Sequence, residues 1–277
     1  MRIWVGTRDA GAVCDGRAAR VSVMDHAFTV GDGVFETLKI GPSGPFALSR
    51  HLRRLGASAA ALGITPPDEA VIRAAVDDLL SVGDVAGNGR LRITYTGGDG
   101  PLGSDRGSAV PTLVIAAAPT PTWPAATSVV TVPWTRNERS AIVGVKSTSY
   151  AENVVALQWA HGRGASEAIF GNTRGELCEG TGTNVFVVVD GRVLTPSLAS
   201  GCLAGITREL VLEWFDVEEA TLPLDVLASA DEVFVTSSTR NVHPVTKCDE
   251  RQWGQPGPVT AALVRRFEER AASDIDP

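Results

Sequence analysis

Period-two alternation runs through Val34-Phe35-Glu36-Thr37-Leu38-Lys39-Ile40 and stops at Gly41-Pro42-Ser43-Gly44, the pattern of a half-buried strand entering a turn. The period then becomes helical. His51, Leu52, Leu55, Ala59 and Leu62 share one side of a helix over about 49–62, and a second helical stretch covers 68–82. Arg90–Tyr95 and Thr112–Ala116 read as further strands, separated by a glycine-rich loop from Gly97 to Gly107; loops of that length are often functional. Pro119-Thr120-Pro121-Thr122-Trp123-Pro124 sets three prolines in a short run, which neither a helix nor a central strand continues through. Beyond it, strands at 141–146, 183–189, 192–195 and 232–236 alternate with helices at 151–163, 206–215, 223–229 and 257–271. The expected fold class is α/β with two domains, residues 1–118 and 128–277, joined by a linker over 119–127.

Composition narrows the functional field. With 277 residues, 44% of them hydrophobic, the chain can bury a substantial core. A net charge of −7 without a long basic run argues against nucleic acid or an anionic membrane as the main partner. Any bound anion must therefore be met by a local cluster. Cys14, Cys178, Cys202 and Cys248 are scattered, with no Cys-x-x-Cys pair, and read as small buried thiols in a reducing compartment, not as a metal site. The opening Met1-Arg2-Ile3-Trp4-Val5-Gly6 lacks a signal-peptide core, and no apolar run reaches the ~18 residues of a membrane span. The expectation is a soluble cytoplasmic protein.

Two residues carry candidate chemistry. Lys146 is the only lysine between Lys39 and Lys247, and it ends the apolar run Ile142-Val143-Gly144-Val145, read as a buried strand. An amine partly desolvated there is a better nucleophile toward carbonyls, although a strand-end lysine also snorkels to water. Glu179, in Glu176-Leu177-Cys178-Glu179-Gly180, is an acid leading into another apolar strand. A buried carboxylate that stays charged needs a cation, which a protonated pyridine nitrogen would supply. A lysine amine with an acid for the ring nitrogen is what pyridoxal 5'-phosphate (PLP) asks of a protein.

A phosphate would need amides, hydroxyls and a cation. Leu203-Ala204-Gly205-Ile206-Thr207-Arg208 puts a glycine and a threonine where a helix begins, either an anion site or an ordinary cap at Thr207. Thr236-Ser237-Ser238-Thr239 clusters hydroxyls after the apolar strand Val233-Phe234-Val235, and Arg54 is the candidate cation.

In this order the segments resemble the fold-type IV PLP enzymes, which include branched-chain and D-amino-acid aminotransferases and aminodeoxychorismate lyases. The resemblance spans about residues 22–246. Asp25-His26-Ala27-Phe28-Thr29-Val30-Gly31-Asp32-Gly33-Val34-Phe35-Glu36 is similar to the family's N-terminal signature, and His51-x-x-Arg54-Leu55 to its phosphate-arginine helix. The resemblance then implies Lys146 as the Schiff-base lysine and Glu179 as the pyridinium partner. Gly205, Ile206 and Thr207 would start the phosphate-binding helix, with Ser238 and Thr239 in the second phosphate loop. It further implies a two-domain fold with PLP in the interdomain cleft, and a homodimer whose partner chain contributes to each site. Tyr150 would contact the ring hydroxyl if its spacing from Lys146 fits; a core or interface tyrosine is the other reading.

The reaction turns on Thr37. Resembling lyases have threonine at this place, whereas branched-chain enzymes typically have glycine and D-amino-acid enzymes an aliphatic residue. The leading expectation is therefore 4-amino-4-deoxychorismate lyase, releasing pyruvate and 4-aminobenzoate, with a class IV aminotransferase as the alternative. Lys146 and Thr37 are the catalytic candidates. The loop Gly97–Arg106 lacks the arginine pattern expected to grip a substrate carboxylate, so Arg92, Arg106 and Arg240 are substitute ligands. Arg90 and Arg92 should point to one face of their strand.

Overall fold

Alternation along the first strands becomes a six-stranded antiparallel sheet in the computed structural model, which describes residues 1–82, 89–120 and 122–277. Its strands are β1 (Arg2–Thr7), β2 (Gly11–Asp15), β3 (Gly33–Gly41), β4 (Gly44–Pro45), β5 (Gly89–Thr96) and β6 (Thr112–Pro119). The short helix α1 (His26–Thr29) precedes β3, and α2 (Leu48–Ala61) and α3 (Glu69–Ser81) follow β4. The spatial order is β2-β1-β6-β5-β3-β4, and the turn expected at 41–44 closes β3 onto β4. Leu38, Leu91, Ile93 and Ile115 pack from the sheet with Leu52, Leu55, Ile72 and Leu79 from α2 and α3. Each such side chain contributes roughly 1.5–3 kcal/mol on burial, so apolar packing, not the charge pairs described below, holds the helices on the sheet.

The second sheet is mixed and nine-stranded. Its members are β7 (Thr127–Arg136), β8 (Glu167–Asn172), β9 (Leu177–Gly180), β10 (Asn184–Val189), β11 (Arg192–Pro196), β12 (Val217–Ala220), β13 (Glu232–Ser237), β14 (Asn241–Cys248) and β15 (Arg251–Gln252). The order is β12-β11-β10-β13-β14-β7-β8-β9, with β15 on β14. Helices α4 (Ala151–His161), α5 (Ile206–Trp214), α6 (Val226–Ser229) and α7 (Pro258–Ser273) complete it. Ala156 and Ala160 of α4 pack on Val130, Val132 and Phe170, while Phe186 and Phe234 stack with centroids 4.7 Å apart.

Three readings are corrected. The helix expected over 223–229 is only the four-residue α6, because Pro223 bridges Glu176 instead of entering a helix. The run 141–146 is no strand: residues 141–144 form an exposed turn, set by Val143 N–H to Ser140 C=O (3.1 Å) and by Gly144 at φ +74. The helix after Leu203-Ala204 has Gly205, not Thr207, at its N-cap position, with no side-chain cap, and Thr207 is buried inside the helix.

The chain divides into two compact units, Met1–Pro121 with Val145–Tyr150 and Ile275–Pro277, and Thr122–Gly144 with Ala151–Asp274. The segment 145–150, expected in the second domain, belongs to the first because Val145 packs into its core and its backbone bonds to β3. Pro121, in the expected linker, lies outside the described residues. No helix among the described residues is long and apolar enough to cross a membrane. The four cysteines are free; burial raises the thiol pKa of Cys178, Cys202 and Cys248, which makes them unreactive, while Cys14 is only half-buried.

Candidate active site

Lys146 lies along the start of β3. Its carbonyl accepts from Phe35 N–H at 3.0 Å, its own N–H donates to Ser58 Oγ at 3.4 Å, and Ser147 bridges Val34. Thr148 N–H donates to Gly33 C=O at 2.8 Å. These bonds fix a half-buried lysine whose Nζ stands 4.5 Å from the Phe35 ring centroid and 6.0 Å from that of Tyr150. The two rings meet edge to face at 5.2 Å. Tyr150 is thus brought to Lys146 despite its spacing, through its ring.

Strand parity sorts the neighbours of Lys146 onto two faces. Phe35, Thr37 and Lys39 share one, opposite Thr94, Arg92 and Arg90 in the register with β5. Arg92 is exposed, pairs directly with the half-buried Thr37, and sets its guanidinium carbon 3.8 Å from the Phe35 centroid. Amine and guanidinium therefore meet at one ring, with Thr37 two positions along the same strand face.

Glu36 points the other way, into the layer under α2, and is fully buried. Arg54 Nε and Nη2 donate to its two oxygens at 2.8 and 2.6 Å, and His51 Nδ1 pairs with it at 2.6 Å. Burial alone would raise its pKa; the Arg54 charge and the hydrogen bonds from Arg54 and His51 overcome this and hold it at about 2. Burial lowers the His51 pKa, so the ring is neutral and donates from Nδ1. The carboxylate fixes the plane of the Arg54 guanidinium. Neither Glu36 nor His51 was assigned a role from the sequence.

The loop after β5 is clasped to the N-terminal signature. Arg106 Nε and Nη2 donate to the Asp32 carboxylate, both at 2.6 Å, and Nη2 also reaches Leu62 C=O at 2.8 Å. The Arg106 hydrogen bond leads the causes that lower the Asp32 pKa. His26 Nε2 lies 3.1 Å from Pro101 C=O, and His26 N–H donates to Gly98 C=O at 2.9 Å. Arg106, expected as a carboxylate ligand, thus spends its fork on an internal acid. It also lines an open depression of about 930 Å³ with Arg20, Met24, Asp99, Ser108 and Val110, which includes none of the expected cofactor ligands.

In the second unit, Glu179 on β9 is held at both oxygens. Arg136 Nε donates to one at 3.1 Å and Leu203 N–H to the other at 2.9 Å. Arg136 lies over Phe170 at 4.0 Å, donates to Asn153 Oδ1 at 3.0 Å, and pairs with Glu152. Nothing along the chain points to Arg136: its partner is 43 positions away and meets it through the β7–β8–β9 pairing.

Leu203 leads into α5, whose N-cap Gly205 provides no side-chain cap to the first amides, so the N-terminus suits an anion. A Cβ on Gly205 would collide with Asn184 Oδ1, and Asn184 pairs across strands with Thr236. The α5 start and the end of β13 thus adjoin through Asn184. Ser238 and Thr239 occupy the turn beyond, half-buried. The buried hydroxyls of Thr183 and Thr236 lack hydrogen-bond partners among the described residues. A glycine cradle, uncapped amides and spare hydroxyls fit a phosphate, and an anchored carboxylate fits a ring nitrogen. Arg240 is half-buried, 3.4 Å from Glu167 and 4.1 Å above the Trp123 ring, and its Nη1 has no hydrogen-bond partner among the described residues.

A family model described as amino-transferase class IV matches residues 33–248. The chain belongs to that family. It is 31% identical to a D-alanine aminotransferase of Listeria innocua, covering 93% of this chain and 94% of the other. It is 30% identical to an aminodeoxychorismate lyase of Bacillus subtilis, covering 96% and 94%. The crystal structure of the Escherichia coli branched-chain amino acid aminotransferase superposes with a TM-score of 0.89 at 26% identity, covering 97% of this chain and 93% of that one. The two-sheet α/β architecture is thus the fold-type IV one expected from the sequence, and the family's cofactor is PLP. Among the names of these class IV relatives, aminotransferase outweighs lyase.

Proposed function

We propose that this protein is a PLP-dependent aminotransferase of the cytoplasm, passing the amino group of a D- or branched-chain α-amino acid to a 2-oxo acid. The observation that carries this is the meeting of the Lys146 amine and Arg92 at the Phe35 ring, with Thr37 paired to Arg92 on the same strand face. Lys146 holds the cofactor and moves the proton at the substrate's α-carbon. PLP, when bound, supplies the electron sink that loosens bonds at that carbon. Arg54, the amides of Gly205, Ile206 and Thr207, and the hydroxyls of Ser238 and Thr239 hold its phosphate; Glu179 keeps its ring nitrogen protonated. Tyr150 orients the ring end near Lys146, and Arg92 takes the substrate carboxylate.

A second reading, aminodeoxychorismate lyase, is favoured by Thr37 alone, whose hydroxyl would assist proton transfer as pyruvate leaves. The two separate by product. Purified protein with PLP receives D-alanine or a branched-chain amino acid together with 2-oxoglutarate, and separately aminodeoxychorismate alone. Glutamate formed with one equivalent of the new 2-oxo acid supports the aminotransferase; 4-aminobenzoate formed without 2-oxoglutarate supports the lyase. For an aminotransferase, Thr37→Ala should lower kcat less than threefold, whereas a lyase that needs the hydroxyl should lose on the order of 10²-fold.

A second copy of the chain is the proposed partner. Phe28 and Leu102 are 75% and 78% exposed, and Val23, Met24 and Val110 are also exposed, on segments either side of the Asp25–Asp99 bridge. In the second unit, α4 exposes Val154 and Val155. Sedimentation equilibrium should give twice the 29.0 kDa chain mass; a mass of one chain would refute the dimer.

A further inference from the structure

Helix α2, which carries His51 and Arg54, begins without a cap of its own. Its N-cap residue is Ala47, in the left-handed region at φ 55, with no side-chain acceptor for the first amides. An N-cap normally sits in the β region and offers an oxygen to the amide two or three residues on. Here that oxygen comes from 227 positions away. Asp276 Oδ1 accepts from Ser49 N–H at 2.8 Å, and Oδ2 accepts from the Ser49 hydroxyl. The same segment makes two more bonds: Ala47 N–H donates to Ile275 C=O at 2.7 Å, and Arg50 Nε to Pro277 C=O at 2.7 Å. Arg73 of α3 closes the group by donating to Ser49 Oγ at 2.8 Å.

The placement matters because α2 is rigid between its cap and its functional residues. Ser49 and Arg54 are five positions apart, about 7.5 Å along the axis, with His51 between them. A carboxylate at this end also complements the helix dipole. Without the cap, the first turn frays, and the Arg54 guanidinium loses a support of its position that adds to the one Glu36 provides.

We propose that Asp276 is a positioning residue for the cofactor's phosphate, acting through α2 on Arg54. This rests on the proposed reading that Arg54 meets the phosphate of PLP. Asp276 is exposed and takes no part in the chemistry.

The test compares full-length wild type, Asp276→Ala and Asp276→Glu in the cofactor-free form. Two ligands are titrated, PLP and pyridoxal, which lacks the phosphate, and amide hydrogen exchange is followed over residues 48–54. The expected result for Asp276→Ala is about tenfold weaker PLP binding, the equivalent of one lost cap, with pyridoxal changed less than twofold and faster exchange at 48–52. Asp276→Glu should recover most of the PLP affinity. Equal weakening of both ligands, or unchanged PLP affinity, overturns the proposal while the cofactor reading stands. A wild-type chain that binds no PLP overturns both, and the exchange data still report whether Asp276 caps α2.

Discussion

Replacing Lys146 with alanine is expected to abolish turnover, a loss of at least about 10⁴-fold, since the amine both holds the cofactor and transfers the proton, and proton transfer alone is worth ~10²–10⁴. Lys146→Arg is the sharper variant. Arginine keeps a cation near Phe35, where the lysine nitrogen stands at 4.5 Å, but it cannot give up its charge to attack a carbonyl. If the lysine served only as a cation on an aromatic face, arginine would preserve function. Lys146→Arg is expected to be as inactive as the alanine variant while melting within a few degrees of wild type. Activity above a tenth of wild type in Lys146→Arg would refute the nucleophile assignment.

The second large effect is on stability. Glu36→Ala removes the buried acid that half-buried Arg54 and buried His51 share, at a cost of roughly 3–5 kcal/mol. The urea midpoint should fall accordingly, and PLP affinity with it, because the guanidinium plane is no longer held. Acid should destabilise the wild type through the same pair. His51 is held below its ordinary 6.5, so its contribution declines as pH falls below that value. Glu36 is held at about 2 against an ordinary 4.5; its contribution is full above 4.5 and is lost as pH falls toward 2. Glu36→Ala should keep the first loss and lack the second. A variant with an unchanged urea midpoint would mean that the buried pair contributes nothing net.

Much of this was legible before the fold was known. The amine at 146 and the acid at 179 stood out as candidates because cofactor chemistry asks for those residue types, and their order with the glycine at 205 came from the family resemblance. The helix over 48–61 and the turn at 41–44 followed from periodicity and glycine placement. Glu36 was readable too: Val34, Leu38 and Ile40 mark the buried face of β3, and the same parity puts Glu36 among them, where a carboxylate demands a cation. The strand over 127–136 escaped notice because its register shifts between Thr131 and Thr135, which breaks the alternation. The apolar run at 141–144 misled because apolar content does not distinguish a strand from a turn whose glycine takes a positive φ. The partners of Arg106 and Arg136 could not be read from the sequence. Their acids, Asp32 and Glu179, lie 74 and 43 positions away, and only the folded chain unites them.

The most direct test is chemical trapping. Protein incubated with PLP is reduced with borohydride, which fixes the cofactor to whichever amine holds it, then digested and mapped by mass spectrometry. The predicted result is one phosphopyridoxyl group per chain, on the peptide containing Lys146. Label on Lys39, on Lys247 or on no peptide would contradict it.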